Sequence, residues 1–363
     1  MAHDNQPNIR SFQQHPARRY GIREIAEWGV ADRLAFPAQS SVLDERALRD
    51  RVLCLYDVPP IVSCRFLARG DSDVYAVVAA DDRHFFLKAY RPPHSLAAAE
   101  GEGRLTADLC AHSFPAAAPV LRHDGRYATA VDATEGARPA LLWTEALGAR
   151  PGSGPRAAEA IGRTIGHLHN VCDTLAEKYE LPVDKVEAVS ELLPYALEFM
   201  DRPDADLAVA AAEWGRKRMS AWSREAPGFG ICHGDLASVN IRLHPERGIT
   251  LFDFGRCGYS WRVCDFHQFH PGPNRSAERQ ARWDAFRSGY SAVRALPTRM
   301  GEMLPIFRLM SHLRSMGRCA GACPLRMGTE SPEQWLPGDI QWLREQVQGI
   351  PELREHLRAQ ALV

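Results

Sequence analysis

The sequence predicts an α+β fold in two lobes, a small β-rich one followed by a larger, mainly helical one, and three observations carry that prediction. Apolar runs with a period of two dominate residues 61–147. Residues 148–155, reading GARPGSGP, concentrate glycine and proline as a linker does. Beyond them Ile161, Ile165, Leu168, Cys172 and Leu175 recur at helical spacing, the signature of a buried stripe. The expected division is thus an N-terminal extension over 1–60, a β-rich lobe over 61–147 and a helical lobe over 148–363.

Composition permits this and excludes other classes. A chain of 363 residues with 45% hydrophobic and 25% charged residues has enough apolar mass for a sizeable core. Lys and Arg (44) balance Asp and Glu (45), so no overall field draws the chain to nucleic acid or to an anionic membrane. No run of 18 apolar residues suggests a membrane span, and the first residues, MAHDNQPNIR, lack the apolar centre of a signal peptide. Nine cysteines without framework spacing read as reduced, mostly buried thiols, and the expected location is the cytoplasm.

In order along the chain, residues 1–20 are polar, and short amphipathic pieces follow (Ile22, Ile25, Trp28; Val42, Leu43, Leu48), read as an extension packed on the main fold. Val74–Ala80, the turn at 81–83 and His84–Tyr90 form a β-hairpin in which Phe86, Lys88 and Tyr90 share one face. A helix over roughly 95–111 places Glu102, Leu105 and Leu109 on one stripe, with Gly101 and Gly103 expected to loosen it by about 1 kcal/mol each. A turn at 123–125 and an apolar strand at 140–144 complete the first lobe. After the linker, helices are expected near 187–200, 205–224, 276–295, 302–319 and 338–360, and two short strands between Gly230 and Gly255.

The chemistry concentrates in that last interval. Cys232-His233-Gly234-Asp235-Leu236-Ala237-Ser238-Val239-Asn240 sets an Asn five residues after an Asp, and Asp253 lies thirteen further on in ITLFDFG. Phosphoryl transfer needs a carboxylate to orient a hydroxyl and take its proton, and oxygen ligands for the divalent cation that neutralises the phosphates. The D-x-x-x-x-N spacing followed by D-F-G supplies both. Each residue alone reads as a turn former, a cap or a salt-bridge partner; their order and spacing together do not. Asp253, set among apolar residues of an expected short strand, needs a cation to offset its burial.

HGDLASVN followed by LFDFGRCGYSWRVCDF resembles the aminoglycoside phosphotransferase and choline kinase superfamily, and FDF-x-x-CGYSW is similar to its bacterial branch of homoserine-kinase-like enzymes and a stress-response kinase. The likeness spans roughly 61–320 and implies a protein-kinase-like two-lobed fold, with ATP and Mg2+ as cofactors. It implies Asp235 as catalytic base and Asn240 and Asp253 as metal ligands, with His233 and Asp265 bracing the loop. Lys88, in FFLKAYRP, corresponds to the phosphate-binding lysine, paired with a helix glutamate for which Glu102 is preferred and Glu100 competes. Ser72, in a loop holding a single glycine, is placed near phosphate, and adenine near the backbone of Trp143, Glu145 and Ala146. Cys257, Cys264, His267 and His270 read as the start of a helix rather than as a zinc site.

Three functions stay open at this level. One is an ATP-dependent kinase of a small-molecule hydroxyl on an amino alcohol, hydroxy amino acid, sugar or antibiotic. The second is a bacterial Ser/Thr protein kinase, and the third a catalytically silent nucleotide-binding protein. The presence of Lys88, Asp235, Asn240 and Asp253 together speaks against the third. Arg256 stands where near relatives have an acidic residue, which leaves the acceptor undefined.

Overall fold

The expected hairpin sits at the centre of a five-stranded antiparallel sheet of order β1-β2-β3-β5-β4. The strands are β1 (Ile61–Arg69), β2 (Ser72–Ala79), β3 (His84–Tyr90), β4 (Thr129–Ala133) and β5 (Gly136–Thr144). These come from a computed structural model that describes residues 41–70, 72–175, 179–183, 188–272, 276–322 and 332–363. The expectations for the first forty residues lie outside the described residues. Val74 pairs with Lys88 and Lys88 with Leu141, while Ser72 pairs with Tyr90 and Phe86 with Trp143. Directly opposed residues point to one side of a sheet, so Ser72, Lys88, Tyr90 and Trp143 share a face.

The opposite face is covered by the segment before the sheet. A short helical stretch over 45–55 buries Leu48, Val52 and Leu53 against Tyr75, Val77 and Leu87. Its Asp44 side chain caps the first turn through the amide of Ala47, 2.7 Å away. Ser41 also bonds Glu135, which ties the segment to the β4–β5 turn.

Helix α1 (Leu96–Ala111) follows β3 and is capped by Ser95. Its two glycines are packing positions, a role the sequence reading did not give them. A Cβ on Gly103 would lie 2.7 Å from Tyr127 Cβ, and one on Gly101 2.9 Å from Glu180 O. Their small size is what lets the helix dock closely.

The GARPGSGP stretch is pinned rather than slack. Ala149 exchanges both backbone hydrogen bonds with Leu243, at 3.1 and 2.8 Å, and Arg150 bonds the Ser238 hydroxyl. Beyond it lie α2 (Pro155–Thr174), α3 (Ala188–Leu197), α4 (Arg202–Ser220), α5 (Ala277–Ser291), α6 (Met300–Gly317), α7 (Pro332–Gly349) and α8 (Pro351–Ala359). The single helix expected over 338–360 is two, because Pro351 has no N–H to continue the first and starts the second as its N1 residue. Ile161, Ile165 and Leu168 of α2 share one large core with Phe286 and Tyr290 of α5.

Between α4 and α5 the backbone forms four short strands, two more than the sequence suggested over a slightly shorter span. β6 (Phe229–Cys232) pairs with β9 (Gly258–Trp261), and β7 (Ile241–His244) with β8 (Gly248–Leu251). These two ribbons hold the loops that carry the polar residues. All eight described cysteines are free thiols, four of them buried. No described helix is long and apolar enough to cross a membrane.

Candidate active site

Two turns, one after β6 and one after β8, bring the polar residues together. After β6 the chain turns at Gly234, whose φ of +79° and whose separation of 2.2 Å between a built Cβ and Arg256 O admit only glycine. Asp265 closes this turn from behind: its carboxylate accepts from the amides of His233 (2.9 Å) and Gly234 (2.8 Å) and contacts His169 Nε2 at 3.1 Å. His169 in turn reaches the Tyr290 hydroxyl at 3.0 Å. Burial alone would raise the Asp265 carboxyl, but the His169 contact, His233 and the Gly234 amide together hold it below the usual carboxylate range. His233 Nε2 meets the Phe252 carbonyl at 3.1 Å, which couples the two turns.

Asp235 emerges from this braced loop toward the cleft. Asn240, at the end of a short 3-10 turn, donates through Nδ2 to the Asp235 carbonyl (2.9 Å) and carboxylate (3.3 Å). Its Oδ1 is the acceptor atom of the same amide group. Arg256 Nε stands 3.7 Å from Asp235 Oδ2, and Gln268 Nε2 donates to Oδ1 at 3.4 Å. Sequence reading assigned no role at Asp235 to either residue, because the contact depends on how the segment after β8 folds back.

Asp253 is not in a strand, which corrects the sequence expectation. β8 ends at Leu251, and Asp253 follows with φ of +62°, a left-handed conformation that Asp tolerates better than most residues. The turn swings its carboxylate out of the apolar layer, crowded by protein yet 41% exposed to the cleft. Lys88 Nζ lies 2.5 Å from Asp253 Oδ1 and 3.8 Å from Glu102 Oε1. Burial would raise the Asp253 carboxyl; the Lys88 charge and hydrogen bond, with His233 and Arg256 behind them, hold it below its ordinary value.

Glu102 is 1% exposed, and its Oε2 accepts from the Tyr90 hydroxyl at 2.5 Å. The Lys88 ammonium sits 4.6 Å from the Tyr90 ring centre, so Tyr90 fixes both ends of the pair. Glu100 faces elsewhere and accepts from the amides of Tyr127 and Ala128. Ser72 is buried on the same sheet face as Lys88, one position before Asp73. Asp73 makes a fully buried ion pair with Arg138 at 2.9 Å, and Arg138 also holds the carbonyls of Ala89 and Tyr90. That network clamps the ends of β2, β3 and β5 together, and no local pattern in the sequence signalled it. Trp143 lines the same face, with its buried Nε1 lacking a partner. Glu145 and Ala146 follow in irregular backbone; the Glu145 carboxylate turns to His84, 3.8 Å away. The structure therefore gathers Lys88, Glu102, Asp235, Asn240 and Asp253 around one cleft and leaves the Glu145 side chain outside it.

The donor set suits a magnesium-bound nucleotide. The Asp253 carboxylate and Asn240 Oδ1 are hard oxygen donors of the kind magnesium takes. Comparison with known proteins agrees. An uncharacterized protein of Deinococcus radiodurans is 31% identical over 327 residues, 87% of this chain and 93% of its own. An amicoumacin kinase in complex with AMP-PNP, Ca2+ and Ami is similar in structure (TM-score 0.70, 20% identity, 84% of this chain and 94% of that one). So is a microcompartment-associated aminopropanol kinase (TM-score 0.67, 20% identity, 88% and 99%). The two solved structures share the fold. The sequence model of the phosphotransferase enzyme family matches residues 63–296, the stretch that holds both turns and the sheet, and the chain belongs to that family.

Proposed function

We propose that the chain transfers the γ-phosphoryl group of ATP to a hydroxyl of a small molecule, with Asp235 as the base. The observation that supports this is the convergence of Lys88, Asp235, Asn240 and Asp253 from three separate segments on one cleft. Asp253 and Asn240 would hold Mg2+, which would supply neutralisation of the phosphate charge. Lys88, held by Glu102 and Tyr90, presents its ammonium to the phosphates. Ser72 and the backbone near Trp143 and Ala146 line the nucleotide side of the sheet.

Asp235 then orients the acceptor hydroxyl and accepts its proton on an oxygen facing the cleft. Asn240, Gln268 and Arg256 keep that carboxylate in one orientation, so the alcohol arrives at a set geometry. We place the acceptor in the cavity beside Gly234 and Arg256, which Phe307, Met310 and Ser311 of α6 also line. Incubation with labelled ATP, magnesium and a panel of hydroxyl compounds, run beside generic proteins, tests the reading. Label in a small acceptor with wild type and none with Asp235→Asn is the expected result; label in protein Ser or Thr alone would overturn it.

A further inference from the structure

A second cavity, of about 270 Å3, is lined by Gln268 and His270 together with Arg279, Arg282 and Arg308. Arg279 and Arg282 come from α5 and Arg308 from α6, so only the tertiary fold brings them together. No carboxylate stands among the described residues of this lining. Arg308 Nη1 is held by the carbonyls of His270 (2.6 Å) and His267 (3.4 Å), and its buried Nε has no partner. Its guanidinium lies 5.6 Å from the Trp342 ring centre, and that of Arg282 5.1 Å from Phe269. Carbonyls and ring faces orient a guanidinium without neutralising it. Burial, then the charge of Arg279, push Arg308 below its ordinary value, and burial does the same to Arg282. Three like charges are therefore gathered at a cost, which an incoming anion would offset.

The site adjoins the chemistry. Gln268 lines this cleft and also donates to Asp235 Oδ1 at 3.4 Å. Arg256, beside the Asp235 carboxylate, and Arg314 line the cavity on the Gly234 side. An ammonium desolvated beside these arginines would be repelled, whereas the planar fork of arginine matches carboxylate and phosphate oxygens in pairs. We infer that the cleft of Arg279, Arg282 and Arg308 is an anion subsite for the acceptor, and that the hydroxyl substrate carries a carboxylate or phosphate group. This inference rests on the phosphotransfer reading above and narrows it.

The experiment varies charge on one carbon skeleton. Glycerate, glycerol 3-phosphate, glycerol and 1-amino-2-propanol, extended by larger hydroxy acids, sugar phosphates, sugars and aminoglycosides, are offered with ATP and magnesium. Transfer favouring anionic acceptors is expected, and glycerate against glycerol 3-phosphate tells carboxylate from phosphate. Arg282→Gln should raise KM for the preferred acceptor roughly 10- to 100-fold. Efficient transfer to an amine with none to an anion would overturn the inference and leave phosphotransfer standing. A second measurement does not depend on turnover. With ADP and magnesium saturating, glycerol 3-phosphate or glycerate should raise the Tm of wild type and not that of the Arg279→Gln/Arg282→Gln double variant. An equal response in both proteins would sink the subsite. The expected binding difference without any phosphoryl transfer would uphold the subsite and refute the reaction instead.

Discussion

The two walls of the Asp235 cleft manage charge in opposite ways. On the nucleotide wall a cation meets carboxylates: Lys88 pairs with Asp253 and approaches Glu102. On the acceptor wall Arg308 meets backbone carbonyls and a ring, and Arg282 a ring. Paired charges hold a shape before any ligand arrives, which suits a nucleotide that every turnover must bind in one pose. Charges held by neutral groups keep their field for an anion that comes and goes. The difference teaches that one protein can prepare one binding site by satisfying its charges and another by leaving them unsatisfied.

The largest expected effect comes from the residue between the walls. Asp235→Asn should lower kcat by about 10²–10⁴-fold while ATP binding by calorimetry and the Tm stay near wild type, since neither wall is altered. If turnover survives, the base lies elsewhere and the comparison loses its centre.

Asp265→Ala attacks the frame that both walls share. It strips two loop amides and His169 of a fully buried partner, and a loss of about 3–5 kcal/mol in urea unfolding is expected. The pH dependence has a definite sign. A carboxyl lower in the folded chain contributes stability above its unfolded value, near 3.9, and loses it as pH falls through the depressed folded value. Wild type should therefore lose stability on acidification below about pH 4 more steeply than Asp265→Asn. Parallel curves would assign the acid sensitivity to other carboxylates.

Smaller effects separate the members of the nucleotide wall. Lys88→Met should reduce kcat/KM for ATP roughly 10- to 100-fold, the scale of losing a hydrogen-bonded charge. Glu102→Gln, which can still accept from Tyr90, should cost roughly 2- to 10-fold. Glu100→Gln should leave kinetics for ATP nearly unchanged and cost about 1 kcal/mol of stability, because its oxygens serve Tyr127 and Ala128. If Glu100→Gln proves the more damaging to ATP kinetics, α1 acts on the nucleotide through its other glutamate.

Much of this was legible in the linear order, and the parts that were not have a common cause. The hairpin around 81–83 could be read because strand alternation and turn residues are local properties. So could the α2 stripe, and the Asp235-to-Asn240 spacing, which one tight loop must satisfy. Asp253 was legible as a residue but not as a conformation. Apolar neighbours suggested a strand, while the left-handed φ that turns the carboxylate outward is imposed by the two packed turns. The docking role of Gly101 and Gly103 was invisible because Glu180 and Tyr127, which press on them, are distant in the chain.

By itself the sequence determined the order of a β-rich and a helical lobe, the loop that carries Asp235 and Asn240, and the lysine on a strand beside it. Each is written in short-range periodicity and spacing, because backbone geometry alone converts those into position. Tertiary structure alone decided that Arg256 and Gln268 reach Asp235, that Asp73 and Arg138 form a buried pair, and that arginines of α5 and α6 share one cleft. Those outcomes depend on how separate elements pack, and packing is settled by the whole core at once, so no local pattern records them.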